Sequence, residues 1–460
     1  MAGKVKKGFG IYLFILLLSL IAAFLIVVMV MIFSPFKNVL GYQYVFYHDE
    51  NTEYNVTGGD TSEMFDFSSL EEIKINCNYA DVEVLRTDDV ENNAIAIENF
   101  AKGFAKQDGK IKFSYQIYYE NSETKKVLCV DVEEAECFLY FSKHVKVSIL
   151  LPETDTVNLS NVKLNVTNNV GNIRVAQGNK TQPISFRSLD LKTHSGSIYL
   201  GKGLDKFVDH VFLSTKSGNV GGEGDLFVTS SFSLNSSSGK LNFQNITLGA
   251  QTATMILGNS EFAAKEIVGN VNIQIDDGYF DAIKLTGDIS GNNAAEQMTT
   301  STITIGEVVG NVSFPFANAA RININKISEG KLFVHGTTGS VNVGDLVGDG
   351  WVEMTTGSVN IGLSGQCEIK TTTGSIDVVY KLATIESGLN FYTETGAIKL
   401  GVNSSLKFLL SVYNTAGQLR SNNVSIEGIG YGWEIPFAMN NGSVPVNITS
   451  NAKVEVVINK

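Results

Sequence analysis

Proline is scarce, with six in 460 residues, and histidine is scarcer still at five. With so few prolines, nearly every backbone N–H is free to pair, which suits a strand-rich chain with many turns. The histidines (His48, His144, His194, His210 and His335) are scattered, and no two stand at a metal-ligand spacing. Positive charge is also short. Lys and Arg number 35 against 47 Asp and Glu, a net charge of −12, which argues against a broad nucleic-acid face. The four cysteines, Cys77, Cys129, Cys137 and Cys367, follow no metal spacing. Cys129 and Cys137 flank the turn DVEEAE and fit either a hairpin disulfide in an oxidising compartment or buried thiols in strands. Nucleophile elbows, Walker loops and zincin motifs are missing. No cofactor or metal is therefore expected.

Glycine, by contrast, is abundant at 44, and much of it falls in one recurring phrase. Between Leu332 and Leu400 the chain reads TTGSV, TTGSV, TTGSI and TETGAI, with glycines at Gly339, Gly357, Gly374 and Gly396. An apolar residue stands five before each glycine (Val334, Val352, Ile369, Phe391), and others stand two and four after it. That pattern is strand, tight turn, strand, with inward side chains alternating on both arms. A period of about 20 residues, too short for each unit to bury a core alone, predicts an all-β solenoid.

The same phrase marks Gly196, Gly218 and Gly239, with Leu191, Leu213 and Leu234 five before, and Gly417 continues it. From Gly258 to Asn318 the pattern is degenerate, and Gly278 and Gly310 are read as its rung markers. Expected organisation is a cytoplasmic N-terminus (1–9), a transmembrane helix (10–33), a juxtamembrane connector (34–69), an N-terminal β cap (70–151), solenoid rungs (152–425) and a C-terminal β cap (426–460). Strands about 4.8 Å apart would make a rod on the order of 70 Å long.

The helix expectation rests on the uncharged run from Gly8 to Phe33, preceded by Lys4, Lys6 and Lys7. More than about 20 apolar residues span a bilayer, and the lysines place the N-terminus inside. A cleaved signal peptide would be shorter and end at a small-x-small site, whereas this run ends Phe33-Ser34-Pro35-Phe36.

IKINCNYADVEVL, VKVSILLPETDTVNLSNVKLNVTNNVGNIRV and the rungs SGSIYLG, TGSVNVG, TGSVNIG and TGSIDVV resemble the bacterial putative-adhesin domain family, whose function is unknown. The resemblance covers about residues 70–459 and implies a β-solenoid attached to the cell envelope, with no ligand named.

Parallel β-helices include polysaccharide enzymes, so carboxylate pairs were weighed. Asp276 and Asp277, with Asp281 and Asp288 nearby, form the densest cluster, but adjacent strand residues face opposite ways and Asp277 sits at a turn position. A candidate surface is the outward row Ser195, Ser217, Ser238, Thr338, Thr356, Thr373 and Thr395, whose hydroxyls could meet a repetitive glycan or could cap their own turns. The expected function is a membrane-anchored, non-enzymatic, adhesin-like or spacing protein, its partners the bilayer and an envelope glycan or surface protein. A polysaccharide-processing β-helix enzyme and an envelope scaffold or sensory accessory are the alternatives, the latter favoured by any exposed patch around Tyr42–Tyr47 or Trp433.

Overall fold

The structure is a computed structural model that describes residues 5–33, 42–46, 50–55, 67, 70–88, 94–106, 114–122, 125–133, 137–152, 159–176, 184–202, 204, 209–249, 251–291, 301–415, 419–421 and 434–459. A single helix, Val5–Phe33, is followed only by strands among these residues. Side chains within it are described from Tyr12 to Val27 and at Met29, and all are exposed. Ser19, the polar aliphatic residue among them, turns its hydroxyl back to donate to Leu16 O at 2.8 Å. Among the described residues no helix is long and apolar enough to cross a membrane. The span expected over residues 10–33 extends beyond these side chains at both ends and is not established by them.

The strands stack as parallel rungs that share one continuous hydrogen-bonded sheet. Each rung contributes a first strand, turns a corner, and contributes a second. Strands such as Lys163–Val170, Ser188–Ser195, His210–Ser217 and Ser231–Ser238 make the first face. Ile173–Ala176, Ile198–Leu200, Val220–Gly222 and Lys240–Leu248 make the second. From Leu226–Val228 onwards a third face is added, because the second strand bends and its far end pairs separately, as in Ile246↔Leu226 and Ile246↔Ile267. That extra side runs on to Leu346, which pairs with Leu363.

Alternation puts every second side chain inside, and the register aligns those side chains from rung to rung. One inward column runs Val147, Val82, Ile173, Ile198, Val220, Leu241, Phe262, Phe280, Ile303, Ile322, Val341, Val359, Ile376, Ile398, Val454. All of its members are buried. Within it the rings of Phe262 and Phe280 stack at 4.9 Å and 7°. These fifteen levels, about 4.8 Å apart, make a stack roughly 65–70 Å long.

Both chain ends tuck one rung inwards. Glu72–Tyr79 and Asp81–Thr87 come first in sequence, yet they lie between Lys125–Glu133 and Cys137–Pro152 on one side and the rung of Lys163–Val170 on the other. At the other end Pro445–Ser450 and Val454–Asn459 lie between Leu389–Asn403 and the outermost parallel strands Phe408–Asn414 and Leu419–Ser421. Antiparallel strands lie outside Lys125–Glu133 and Cys137–Pro152 at one end, as Ser114–Ser122 and Ala94–Lys106, and outside Phe408–Asn414 at the other, as Glu434–Met439, whereas Leu419–Ser421 pairs only with Val454–Asn459 among the described residues. Parallel pairing already includes residues 72–87, so the stack crosses residue 152 without a break.

Candidate binding surfaces

The recurring phrase builds one corner of the rung. Its residues form a column through Ala80, Gly171, Gly196, Gly218, Gly239, Ser260, Gly278, Ser301, Ala320, Gly339, Gly357, Gly374 and Gly396. Glycine recurs here because the preceding rung's carbonyl lies almost on top of the Cα. A Cβ on Gly218 would stand 1.9 Å from Gly196 O, and one on Gly374 would stand 1.5 Å from Gly357 O. Gly417 lies outside the described residues.

Beside the glycines, Ser195, Ser217, Ser238, Thr338, Thr356, Thr373 and Thr395 are all exposed. The structure brings them together in two groups: Ser195↔Ser217↔Ser238 in register near one end, and Thr338↔Thr356 near the other. Three of the hydroxyls reach the neighbouring rung and not their own turn. Ser238 Oγ points to Lys216 O, Thr373 Oγ1 to Thr355 O and Thr395 Oγ1 to Thr372 O, each a long contact (3.4–3.5 Å) to the preceding rung. Weak, exposed contacts of that kind leave the hydroxyls open to solvent.

The hydroxyls that hold the corner sit two residues earlier, pointing inward. Thr193 Oγ1 donates to Gly171 O, Thr215 Oγ1 to Gly196 O, Thr393 Oγ1 to Gly374 O and Ser450 Oγ to Gly396 O, all between 3.0 and 3.1 Å. All four side chains are buried. Two chain signals mark them, a Thr or Ser three before the glycine and an apolar residue five before it. Only the second was read from the sequence.

A second ladder uses the residue after the glycine. Asn172 N donates to Asp81 Oδ1, Ser197 N to Asn172 Oδ1, and Lys240 N to Asn219 Oδ1, at 2.8–2.9 Å. The degenerate middle follows the same rule at a different corner. There Gly269, Gly287, Gly310, Gly330, Gly348 and Gly365 form their own column. Asp288 N donates to Asn270 Oδ1, Asn311 N to Asp288 Oδ1, and Lys331 N to Asn311 Oδ1. Gly310 therefore marks this second corner and is not the counterpart of Gly278, which keeps the first. Ala320–Glu329 has its corner too, at Ala319 (φ +66°) and Ala320.

The carboxylate cluster is dispersed by the fold. Asp276 and Asp277 lie in the first-corner turn, Asp281 stands between Ala263 and Thr304 on the second face, and Asp288 serves the second-corner ladder. His194 is exposed at the first corner. His335 lies on the first face, with Nδ1 3.8 Å from Glu353. His48 and the His144 side chain fall outside the described residues. Among the described residues no group of three or more His, Cys, Asp and Glu is placed to hold a metal ion. Cys77 and Cys367 are buried thiols, and burial pushes each up to about 12, with Asp131 adding to the effect at Cys77 and Asp349 at Cys367. Such thiols are inert as nucleophiles at neutral pH. Cys129 is buried, and the Cys137 side chain lies outside the described residues, so their pairing does too.

Two surface features had no counterpart in the sequence reading. On the first face Phe333 and Trp351 stack at 4.7 Å and 10°, with His335 beside Trp351. On the second face an open groove of about 480 Å³ lies over four consecutive rungs, lined by Asn323, Asn342, Asn360, Gly344, Gly362, Val379 and Lys381, among others. The side chains of Tyr42–Tyr47 and Trp433 lie outside the described residues.

With this geometry in place, comparison with known proteins gives a likeness to one family over part of the chain. The family model described as Toastrack DUF4097 matches residues 70–288. Over those residues the chain is similar to Toastrack domains. The matched segment opens on the tucked-in strands 72–87 and closes within the second-corner ladder at Asp288. Its boundaries thus take in both corner chemistries. Among solved structures, the chain is similar to a putative cell adhesion protein from Clostridium sporogenes, at 10% identity and a TM-score of 0.15, over 90% of this chain and 100% of that one. It is also similar to a putative adhesin from Parabacteroides distasonis, at 11% identity and 0.19, over 89% and 97%. A third, a putative lipid binding protein from the same species, shows 11% identity and 0.19, over 89% and 96%. At TM-scores this low the likeness supports no inference about this chain. No curated protein matches it.

Proposed function

We propose that the chain is a non-enzymatic, single-pass envelope protein: a short cytoplasmic N-terminus, one membrane helix, and an extracytoplasmic Toastrack solenoid that binds at a surface or holds it at a distance. The observation that carries this reading is the unbroken inward column from Val147 to Val454, which makes the stack a stiff rod rather than a hinged pair of domains. A rod suits spacing and the presentation of a long face.

Anchoring rests on the uncharged run from Gly8 to Phe33, longer than the about 20 apolar residues that span a bilayer. Exposed Leu, Ile, Phe and Val along it, with Lys4, Lys6 and Lys7 at its start, fit an insertion that leaves the N-terminus inside.

The test is topology in intact cells, using the full chain tagged at both ends. Expected are retention in the membrane through alkaline carbonate, loss of the C-terminal tag to external protease, and survival of the N-terminal tag. Release by carbonate, or protection of the C-terminal tag, would refute the reading. The stack of exposed Phe333 on half-buried Trp351 favours an alternative, a scaffold that binds another membrane protein. Recovery of one stoichiometric membrane protein after crosslinking in cells would select that alternative.

A further inference from the structure

We infer that the groove on the second face is a binding site for a neutral, hydroxyl-rich polysaccharide chain, the asparagines Asn323, Asn342 and Asn360 reading its hydroxyls. This rests on the surface-binding reading above and deepens it by naming a site and a ligand class.

The groove exists because of two glycines. Gly344 and Gly362 occupy the bend between the second and third faces on successive rungs, where a Cβ would stand 2.5 Å from Asn325 O and 2.1 Å from Gly344 O respectively. Any larger residue is excluded, so the floor there is bare backbone. In the next rung Val379 takes the place aligned with Gly362 and closes the floor with an apolar side chain that is 39% exposed. Its volume of about 480 Å³ lies within the range of small-ligand sites, about 300–1,000 Å³. Four rungs, three steps of about 4.8 Å, give it a length of roughly 14 Å. It is open along the stack, which suits a segment of a chain rather than a lone sugar.

The banks decide the chemistry. Asn323, Asn342 and Asn360 stand in register on one bank. Asn342 Nδ2 donates to Asn323 Oδ1 at 2.9 Å and is thereby oriented, while the Asn360 carboxamide has no partner among the described residues. Each carboxamide combines a donor and an acceptor, which is what adjacent sugar hydroxyls require. On the other bank Lys381 lies across Gly362, with Nζ 2.7 Å from Gly344 O and 3.3 Å from Asp345 Oδ1. The asparagine column ends on Asp377, which pairs with Lys399 at 3.6 Å. Both nearby lysines are therefore matched by carboxylates, and the groove carries no net charge. An anionic polymer would meet Asp345 and Asp377 together with the lysines they pair with, and would gain no net attraction. An extended peptide would find no strand edge, because this face is hydrogen-bonded rung to rung on both sides. A pyranose offers hydroxyls to the amides and a C–H face to Val379.

The experiment is affinity electrophoresis of the detergent-solubilised full chain through gels containing hydroxyethylcellulose, soluble starch or galactomannan, with dextran sulfate as the charged comparison. Retardation by at least one neutral polymer and not by dextran sulfate is expected. Asn342→Ala combined with Asn360→Ala should weaken it about tenfold or more, the loss of two hydrogen bonds. Thr254→Val, exposed on the first face away from the groove, should leave it unchanged, and equal melting temperatures would confirm that all variants fold. Retardation that survives the double asparagine change, retardation by dextran sulfate alone, or none by any neutral polymer would each overturn the groove proposal. The topology test run on the same cells keeps the two ideas separate. A surface-exposed chain that no neutral polymer retards loses the groove alone, whereas a chain not exposed at the surface loses the envelope reading.

Discussion

The rungs around Gly196–Gly239 and Gly339–Gly396 and those between Gly258 and Gly330 are the same object built with two corner chemistries. In the first group, glycine at the first corner lies against the preceding carbonyl, and a buried Thr or Ser commonly ties it down, as Thr215 and Thr393 do. In the second group Ser260, Ser301 and Ala320 take that place, and the tight corner moves to Gly269, Gly287, Gly310 and Gly330, where φ runs from +99° to +152°. Asn270, Asp288 and Asn311 then replace the hydroxyls as the cross-rung link. A solenoid needs each rung to satisfy its corner donors and acceptors against its neighbour, and either corner can supply this.

The sharpest break is steric. Gly374→Ala puts a methyl group on Gly357 O, with an expected loss of about 3–5 kcal/mol, while Gly221→Ala, whose new Cβ meets only Asn242 O at 3.3 Å, should cost under about 1 kcal/mol. Urea melts of the two variants would compare a corner glycine with a strand glycine. Next comes the hydroxyl pair. Thr393→Val removes one of the two hydroxyl donors to Gly374 O, Thr371 keeping the other, and also the acceptor for Gly396 N, at about 1–3 kcal/mol, whereas Thr395→Val, two residues on and exposed, should fall within about 0.5 kcal/mol. Equal effects would mean that the inward hook is not what holds the corner. In the middle, Asp288→Ala removes the acceptor for Asn311 N and Nδ2, with an expected cost of about 1 kcal/mol and faster amide exchange at Asn311. The smallest effect is a pH dependence. The Ser328 hydroxyl, then Lys326, hold Glu307 below its usual 4.5, so its stabilisation is complete above that pH and fades as pH falls through the lower folded value. The stability gap between wild type and Glu307→Gln should therefore be flat above pH 4.5 and shrink below it.

Glycines with apolar residues five before and two and four after are local signals, and they located the rungs correctly wherever the first corner carries them. Val334, Val352, Ile369 and Phe391 are all buried, as the alternation required. The middle was opaque because its glycine belongs to the other corner, so a single template slid out of phase between Gly278 and Gly310. The Gly-Asn and Gly-Asp pairs at 269–270, 287–288 and 310–311 would have revealed it, since an Asx side chain after a corner glycine can reach a neighbouring backbone N–H. Of the candidate surface, the exposure of the Ser/Thr row was readable from position in the phrase. The groove was not, because Asn323, Asn342, Asn360, Gly362 and Lys381 come together through register across four rungs.

Period, strand alternation and inward apolar residues are short-range properties, and from them alone the chain declares a solenoid about 70 Å long with an apolar segment before it. Which rung sits beside which is a long-range matter. Strands 72–87 and 445–459 each enter one place inside the end of the stack, and no local pattern marks that choice, because an inserted strand keeps the same alternation as one added at the edge. Only the packed rod decides it, because the inserted strands 72–87 and 445–459 pair on both sides whereas an added edge strand would pair on one.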